Sequence, residues 1–436
     1  MLVPETTHHQ VFMPRLLYSF VFYLSLPVIL LRLLWRSLAA PAYRQRIFER
    51  FGFAQCHPVD KTIWIHAVSV GETLAAAPVV TELLRRYPNY RIVMTTTTPT
   101  GSERVQALFG DQVHHVYAPY DLPGSVQRFL KSVRPNLLII METELWPNML
   151  HYTHRMGCKS LLANARMSAR SARGYLRFPG LTQTMLTNIS QIAIQTSSDS
   201  KRFLEMGLAE KSATVTGSIK FDVDLSEEQR QKASQLSEFW GSGQRAVFLA
   251  ASTHEGEDEQ ILDAFTELKA KLPNVLLVLV PRHPERFSQV LTLCQLRNWH
   301  VLTRSSGIRP NQSVDILLGD TMGELPLFFG AAWVAFIGGS LIDHGGHNML
   351  EASAWSVPVL SGPHVFNFLE IGQKLEQAGA LEFVGNSSEL NQSLCRLLTD
   401  QALRESMGAA GSAIVEQNRG ATDKLLALID TQIDSG

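Results

Sequence analysis

From residue 60 onward the chain alternates short runs of aliphatic and β-branched residues with longer stretches of helical period, and it does so in two separate series. This rhythm restricts the fold more than any other feature, because parallel strands need crossovers and helices are the usual ones. The first series predicts strands at residues 62–68, 91–96, 114–118, 137–141, 160–163 and 191–195. A polar helical stretch at 225–245, closing in Gly-Ser-Gly, interrupts it. A second series begins at 246–250 and continues at 275–280, 315–318, 333–337 and 357–360, followed by helical pattern from 387 to 433. The expectation is an α/β chain with two Rossmann-like domains at 37–224 and 246–436, a linker at 225–245 and a separate N-terminal segment, 1–36.

That N-terminal segment contains residues 16–31 (LLYSFVFYLSLPVILL), uncharged and flanked by Arg15 and Arg32. Spanning helices need about 20 apolar residues, so this run either crosses a membrane with its arginines snorkelling or lies in the interface. Arg32, Arg36, Arg44, Arg46 and Arg50 follow it while Arg15 alone precedes it, a bias that puts the rest of the chain in the cytoplasm. Two plainer readings are a cleavable signal peptide ending near Ala40 and a buried core helix. Arginines between the run and the small residues disfavour the first. A helix apolar on every face disfavours the second.

The net charge of -1 supplies no basic field for nucleic acid. Four cysteines (Cys56, Cys158, Cys294, Cys395) show neither CxxC nor Cys/His spacing, which argues against a disulfide framework or structural zinc. Neither GxGxxG after a first strand nor GxxxxGK[ST] occurs. Two such domains facing one cleft make the GT-B architecture, with chemistry expected in the loops at the C-terminal strand ends.

Those loops hold the candidate residues. In the first domain, Ser69-Val-Gly71-Glu72 has capping-box spacing, so Glu72 either reaches back to the Ser69 amide or serves as a general base. Glu142 and Glu144 in METELWPN follow an apolar strand, as a solvated loop or as acids stiffened by Trp146 and Pro147. Arg166 in NARMS lies at another strand end, in an ordinary turn or a sugar or phosphate site. In the second domain, Ser252 in ASTHEGE stands where a helix start can receive phosphate or only be capped. Arg282 and His283 in PRHPER suit an anionic leaving group or a solvated surface. Thr321-Met-Gly323-Glu324 reads as a turn or a cap. In GGSLIDHGGHNMLE, Gly345 and Gly346 allow close backbone approach, with a helix expected from near His347 and Glu351 in its first turns. His344 and His347 invite a zinc reading, but no third ligand has recognisable spacing.

Taken together and in order, WIHAVSVGE, TTTTPTG, METELWPN, NARMS, IQTSSDSKRF, GSIKFD, ASTHEGE, PRHPER, GDTMGEL and GGSLIDHGGHNMLE resemble the Kdo (3-deoxy-D-manno-octulosonic acid) transferases over roughly residues 10–430. The resemblance implies a GT-B fold, a bacterial inner-membrane location and inverting, metal-independent transfer of Kdo from CMP-Kdo to the lipid A precursor, without a cofactor. It also implies Glu72 as base and Glu142 as a second essential acid. Ser69, Gly71, Thr98, Glu144 and Arg166 would then serve the acceptor. Ser252, Arg282, His283, Gly323, Glu324, Gly345, Gly346, Asn348 and Glu351 would serve the CMP moiety. A soluble nucleotide-sugar epimerase and a non-catalytic membrane scaffold are the competing classes.

Overall fold

The structure, a computed structural model, describes residues 7–434 except 57, 58, 242 and 244, and no side chains for 7–13 and 39. The expected N-terminal segment and linker therefore lie partly outside the described residues. The chain divides into two compact units, Met1–Ile219 with Gly420–Gly436, and Lys220–Arg419.

In the first unit the strands are β1 (Thr62–His66), β2 (Arg91–Thr96), β3 (His114–Tyr117), β4 (Leu137–Met141), β5 (Lys159–Ala165), β6 (Gln191–Ile194) and β7 (Ala213–Val215). They form one sheet in the order β3-β2-β1-β4-β5-β6-β7, every pair parallel. Helices cover both faces, so the central strands are apolar throughout. Ile63 and Ile65 join the core on one face while Trp64 joins Phe129 and Leu138 on the other. The strand order reverses between β1 and β4, and that reversal leaves a crevice beyond their C-terminal ends.

The second unit repeats the design with β8 (Ala246–Thr253), β9 (Val275–Pro281), β10 (Val301–Thr303), β11 (Ile316–Leu318), β12 (Val334–Ile337), β13 (Val359–Ser361) and β14 (Leu381–Phe383). Its order is β10-β11-β9-β8-β12-β13-β14, again all parallel, with the reversal between β8 and β12.

Two expected boundaries differ. Within 225–245, helix Glu227–Trp240 is part of the second unit, because Ala233, Leu236 and Trp240 make a buried stripe that the polar composition hides. Trp240 packs 5.2 Å from the Phe328 ring. At the other end, helices Ser387–Thr399 and Gln401–Gln417 stay with the second unit, but Ala421–Asp434 returns to the first. There Leu425, Leu426 and Ile429 complete the core beside Ile63 and Leu83.

The N-terminal helix runs Thr7–Ala39, and its stretch Pro14–Leu38 is long and apolar enough to cross a membrane and is largely unburied. Leu24, Val28 and Leu31 are each about two-thirds exposed, so this is no core helix. Its start is tied down. Buried Arg15 donates to Asn148 Oδ1 at 2.9 Å, and Ser19 Oγ meets the same oxygen at 3.2 Å. Asp121 in turn accepts from the Asn148 and Met149 amides at 3.0 and 2.7 Å.

Candidate active site

At the reversal point of the first unit, β1 ends in a loop that enters helix Val70–Arg86. Ser69 caps it by accepting from the Glu72 amide at 3.2 Å. The Glu72 carboxylate accepts from the Val68 amide at 2.7 Å and from the Ser69 hydroxyl at 2.9 Å. The reach-back therefore goes to the Val68 amide and the Ser69 hydroxyl rather than to the Ser69 amide. Cap and carboxylate form one closed loop, with Gly71 adding no side chain beside the Ser69 hydroxyl. Burial pushes the Glu72 carboxyl up to about 7 against the lowering effect of those two bonds, and the charges of Glu144 and Glu142 add to the rise.

Glu142 and Glu144 stand across the reversal, in the loop after β4. Glu142 adopts φ +54, a conformation that costs a non-glycine residue free energy. Its amide is fixed on the Ala163 carbonyl at 2.8 Å, and Arg166 Nε lies 4.0 Å from its carboxylate. Thr143 ties this loop to the one after β5, donating to the Arg166 carbonyl at 2.5 Å and accepting from its amide at 3.2 Å. Burial raises the Glu144 carboxyl, while the indole of Trp146 donates to it at 2.8 Å. Trp146 rests edge-on, 4.6 Å from the wholly buried His66 ring. Thr98, after β2, caps helix Pro99–Phe109 by accepting from the Gly101 amide at 3.1 Å. Glu72, Glu142, Glu144 and Arg166 thus come together electrostatically, while the hydrogen bonds of the Thr98 side chain stay within its own turn.

In the second unit the loops after β8, β9, β11 and β12 share one sheet edge. Ser252 sits at φ +58, and the adjacent Thr253 donates to the buried Asp258 at 2.6 Å. The fully buried Glu257 binds the loops after β8 and β12 together. One of its oxygens accepts from the His254 and Gly339 amides at 3.0 and 2.6 Å, the other from those of Ser340 and Leu341 at 2.8 and 2.9 Å. Gly338 is required here, since a Cβ would fall 2.5 Å from the Ser252 carbonyl oxygen. Gly345 and Gly346 follow at φ +101 and +74. The short helix starts at Leu350, not near His347, and runs to Ala354, with Asn348 Oδ1 accepting from the Leu350 amide at 3.1 Å. Asn348 donates to Glu351 at 3.1 Å, and burial raises the Glu351 carboxyl while the Arg282 charge opposes it.

Arg282, His283 and Glu351 therefore gather near the glycine loop. Glu324 does not join them through any bond described. It pairs with Arg304 at 2.7 Å and accepts from Thr321 at 2.5 Å, beside the exposed Gly323. The carboxylate that organises the site, Glu257, was missed as a site residue, because His254 stands three residues before it in ASTHEGE where a capping box would have Ser or Thr. Four imidazoles also converge, with His254 ring centroids 3.9, 5.1 and 5.4 Å from those of His344, His347 and His283. Among the described residues no three His, Cys, Asp or Glu side chains are arranged to share a metal ion.

Comparison with known proteins places this geometry. Residues 45–223 match the family model of 3-deoxy-D-manno-octulosonic-acid transferase, and residues 243–413 that of the group 1 glycosyl transferases. A 3-deoxy-D-manno-octulosonic acid transferase of Haemophilus influenzae is 44% identical over 96% of this chain and 99% of its own. One from Bordetella pertussis is 35% identical over 91% and 94%. In solved structures, a putative UDP-N-acetylglucosamine 2-epimerase from Listeria monocytogenes is 14% identical with a TM-score of 0.54, covering 87% of this chain and 98% of its own. That likeness concerns the GT-B fold alone. Identity across nearly the whole of both chains is what decides family, and on it this chain belongs to the Kdo transferases, enzymes of the glycosyltransferase class.

Proposed function

We propose that the protein transfers Kdo from CMP-Kdo to the lipid A precursor, lipid IVA, with inversion and with Glu72 as general base. The observation carrying this reading is the Glu72 carboxyl, held at a reversal point with its pKa raised to about 7, where a base both accepts and releases a proton near neutrality. An acceptor hydroxyl oxygen attacks the anomeric carbon of Kdo while its proton passes to Glu72. The bond from that carbon to the phosphate oxygen breaks, and its electron pair leaves with CMP.

The phosphate is charged from the start, so amides near Ser252 and Gly345-Gly346, together with Arg282 and His283, suffice to hold it without a metal ion. Glu351 and Asn348 suit the ribose hydroxyls, and Gly323 and Glu324 border the nucleotide. Glu142 is a second essential acid, oriented by Arg166. Ser69, Gly71, Thr98 and Glu144 border the acceptor. A lipid acceptor gives the exposed helix Pro14–Leu38 a purpose, keeping the chemistry at the cytoplasmic face of a bacterial inner membrane.

The test is incubation of the purified protein with CMP-Kdo and lipid IVA in detergent, read by mass. A product heavier by whole Kdo residues is expected. Release of free Kdo alone, or an isomerised donor, would overturn the reading.

A further inference from the structure

The His254 and His347 side chains meet Nε2 to Nε2 at 2.8 Å, one from the loop after β8 and the other from the glycine loop after β12. At that separation one ring must donate and the other accept, so the pair already holds one shared proton between two nitrogens. The contact is built in. The ring planes are within 9° of parallel with centroids 5.1 Å apart, an end-to-end arrangement that suits an in-plane N–H···N bond, and Gly339 at φ +68 makes room for them, since a Cβ there would stand 3.1 Å from His347 Cδ2 and Nε2. Glu257 fixes both loops through the His254 and Gly339 amides.

We propose that the His254–His347 pair takes up a proton when nucleotide phosphate binds, so that an imidazole–imidazolium pair, rather than two neutral rings, meets the charge left on CMP as the sugar departs. This rests on CMP binding in the second unit. A single added proton leaves the Nε2–Nε2 hydrogen bond in place, because the donating ring can take that proton on its outer nitrogen, Nδ1, and still donate through Nε2. When the bond from the anomeric carbon to oxygen breaks, its electron pair stays on the phosphate, which gains one negative charge. A proton from solvent on the pair balances it.

The surroundings explain why the uptake waits for the ligand. Burial and then His344, His283, Arg286 and Arg282 hold His254 down to about 4, and burial with His254 and Arg282 holds His347 to about 3. Nearby acids are mostly engaged. The Glu257 carboxylate is saturated by amides, Asp258 is paired with Arg286, and Asp343 faces His364 at 3.9 Å. Glu285 lies 3.9 Å from His283, and Glu351 interacts with Arg282. An excess of positive charge around two neutral rings is a setting that an arriving anion reverses.

The experiment is titration calorimetry of CMP into the full-length protein near pH 6.5 in buffers of different ionisation heat, comparing wild type with His347→Gln and His254→Gln. Proton exchange by CMP itself is common to all three and cancels. Wild type is expected to take up a fraction of a proton more per CMP than either variant. Its affinity should also fall more steeply with rising pH, up to about tenfold per unit for one full proton. If a variant melts before titration, imidazole nitrogen shifts of wild type with and without CMP read the same protonation. CMP binding with identical uptake in all three proteins, or with nitrogen shifts of neutral rings throughout, overturns the pair. Absence of CMP binding, or binding indifferent to Arg282→Ala and Glu351→Ala, overturns the placement of the nucleotide as well.

Discussion

At Glu72 two accepted hydrogen bonds pull the carboxyl down while burial pushes it up, and burial wins, leaving it near 7. The rate should therefore rise with pH through about 7 as the base is freed, and a pH profile of kcat/KM checks this. Glu72→Gln keeps the shape and should lose roughly 10²- to 10⁴-fold in kcat while CMP still raises the melting temperature. Stability should move the other way. A carboxyl raised from 4.5 unfolded to about 7 folded binds its proton more tightly when folded, so its contribution is complete below 4.5 and is lost as pH rises through 7. The neutral glutamine escapes that loss and should melt no lower than wild type at about pH 8. Near-normal turnover would reject the base assignment and turn attention to Glu142 and Glu144. In the second unit, Arg282→Ala and Glu351→Ala should each reduce the melting shift given by CMP. Activity should persist in EDTA, and rescue of a chelated enzyme by one divalent ion would contradict the metal-free reading.

Among the elements, the glycine loop after β12 depends on the single carboxylate of Glu257. Glu257→Gln turns one acceptor into a donor facing backbone amides, and should cost about 3 kcal/mol by denaturant melting, with weaker CMP binding. Helix Ala421–Asp434 is a second case. Leu425→Ala should cost about 2–5 kcal/mol through the cavity it leaves in the first unit, while CMP binding stays intact. The central strands were legible in the sequence because both their faces are buried, which writes them as runs such as the LLII of β4. β7, β10 and β14 were not, since each is three residues long, partly exposed and at a sheet edge, where no apolar run is required. Helix Glu227–Trp240 passed for a linker because its buried stripe is only three residues wide. Most of the candidate residues lie in loops or first helical turns that follow strands, while Glu351 lies in a helix well beyond β12. Their partners did not follow from spacing, because Glu257 with Ser340, His254 with His347 and Arg15 with Asn148 join residues more than eighty apart.

On the scale of the whole molecule, the helix Thr7–Ala39 has an exposed apolar length but a docked beginning. Deleting residues 1–38 should release the protein from membranes, as read by fractionation, and should also lower its melting temperature, because Asn148 and Asp121 lose Arg15 and Ser19. A folded truncated protein that still sediments with membranes would assign attachment to another surface. The division into units has a different kind of consequence. Because Lys220–Arg419 is interposed within the first unit, the ribosome makes them out of step. The first unit's sheet emerges early, yet the helix that covers Ile63 and Leu83 follows only after the second unit, a delay on the order of ten to forty seconds at usual elongation rates. During that interval the half begun first stays open on one face, and the half begun second is the first to be complete.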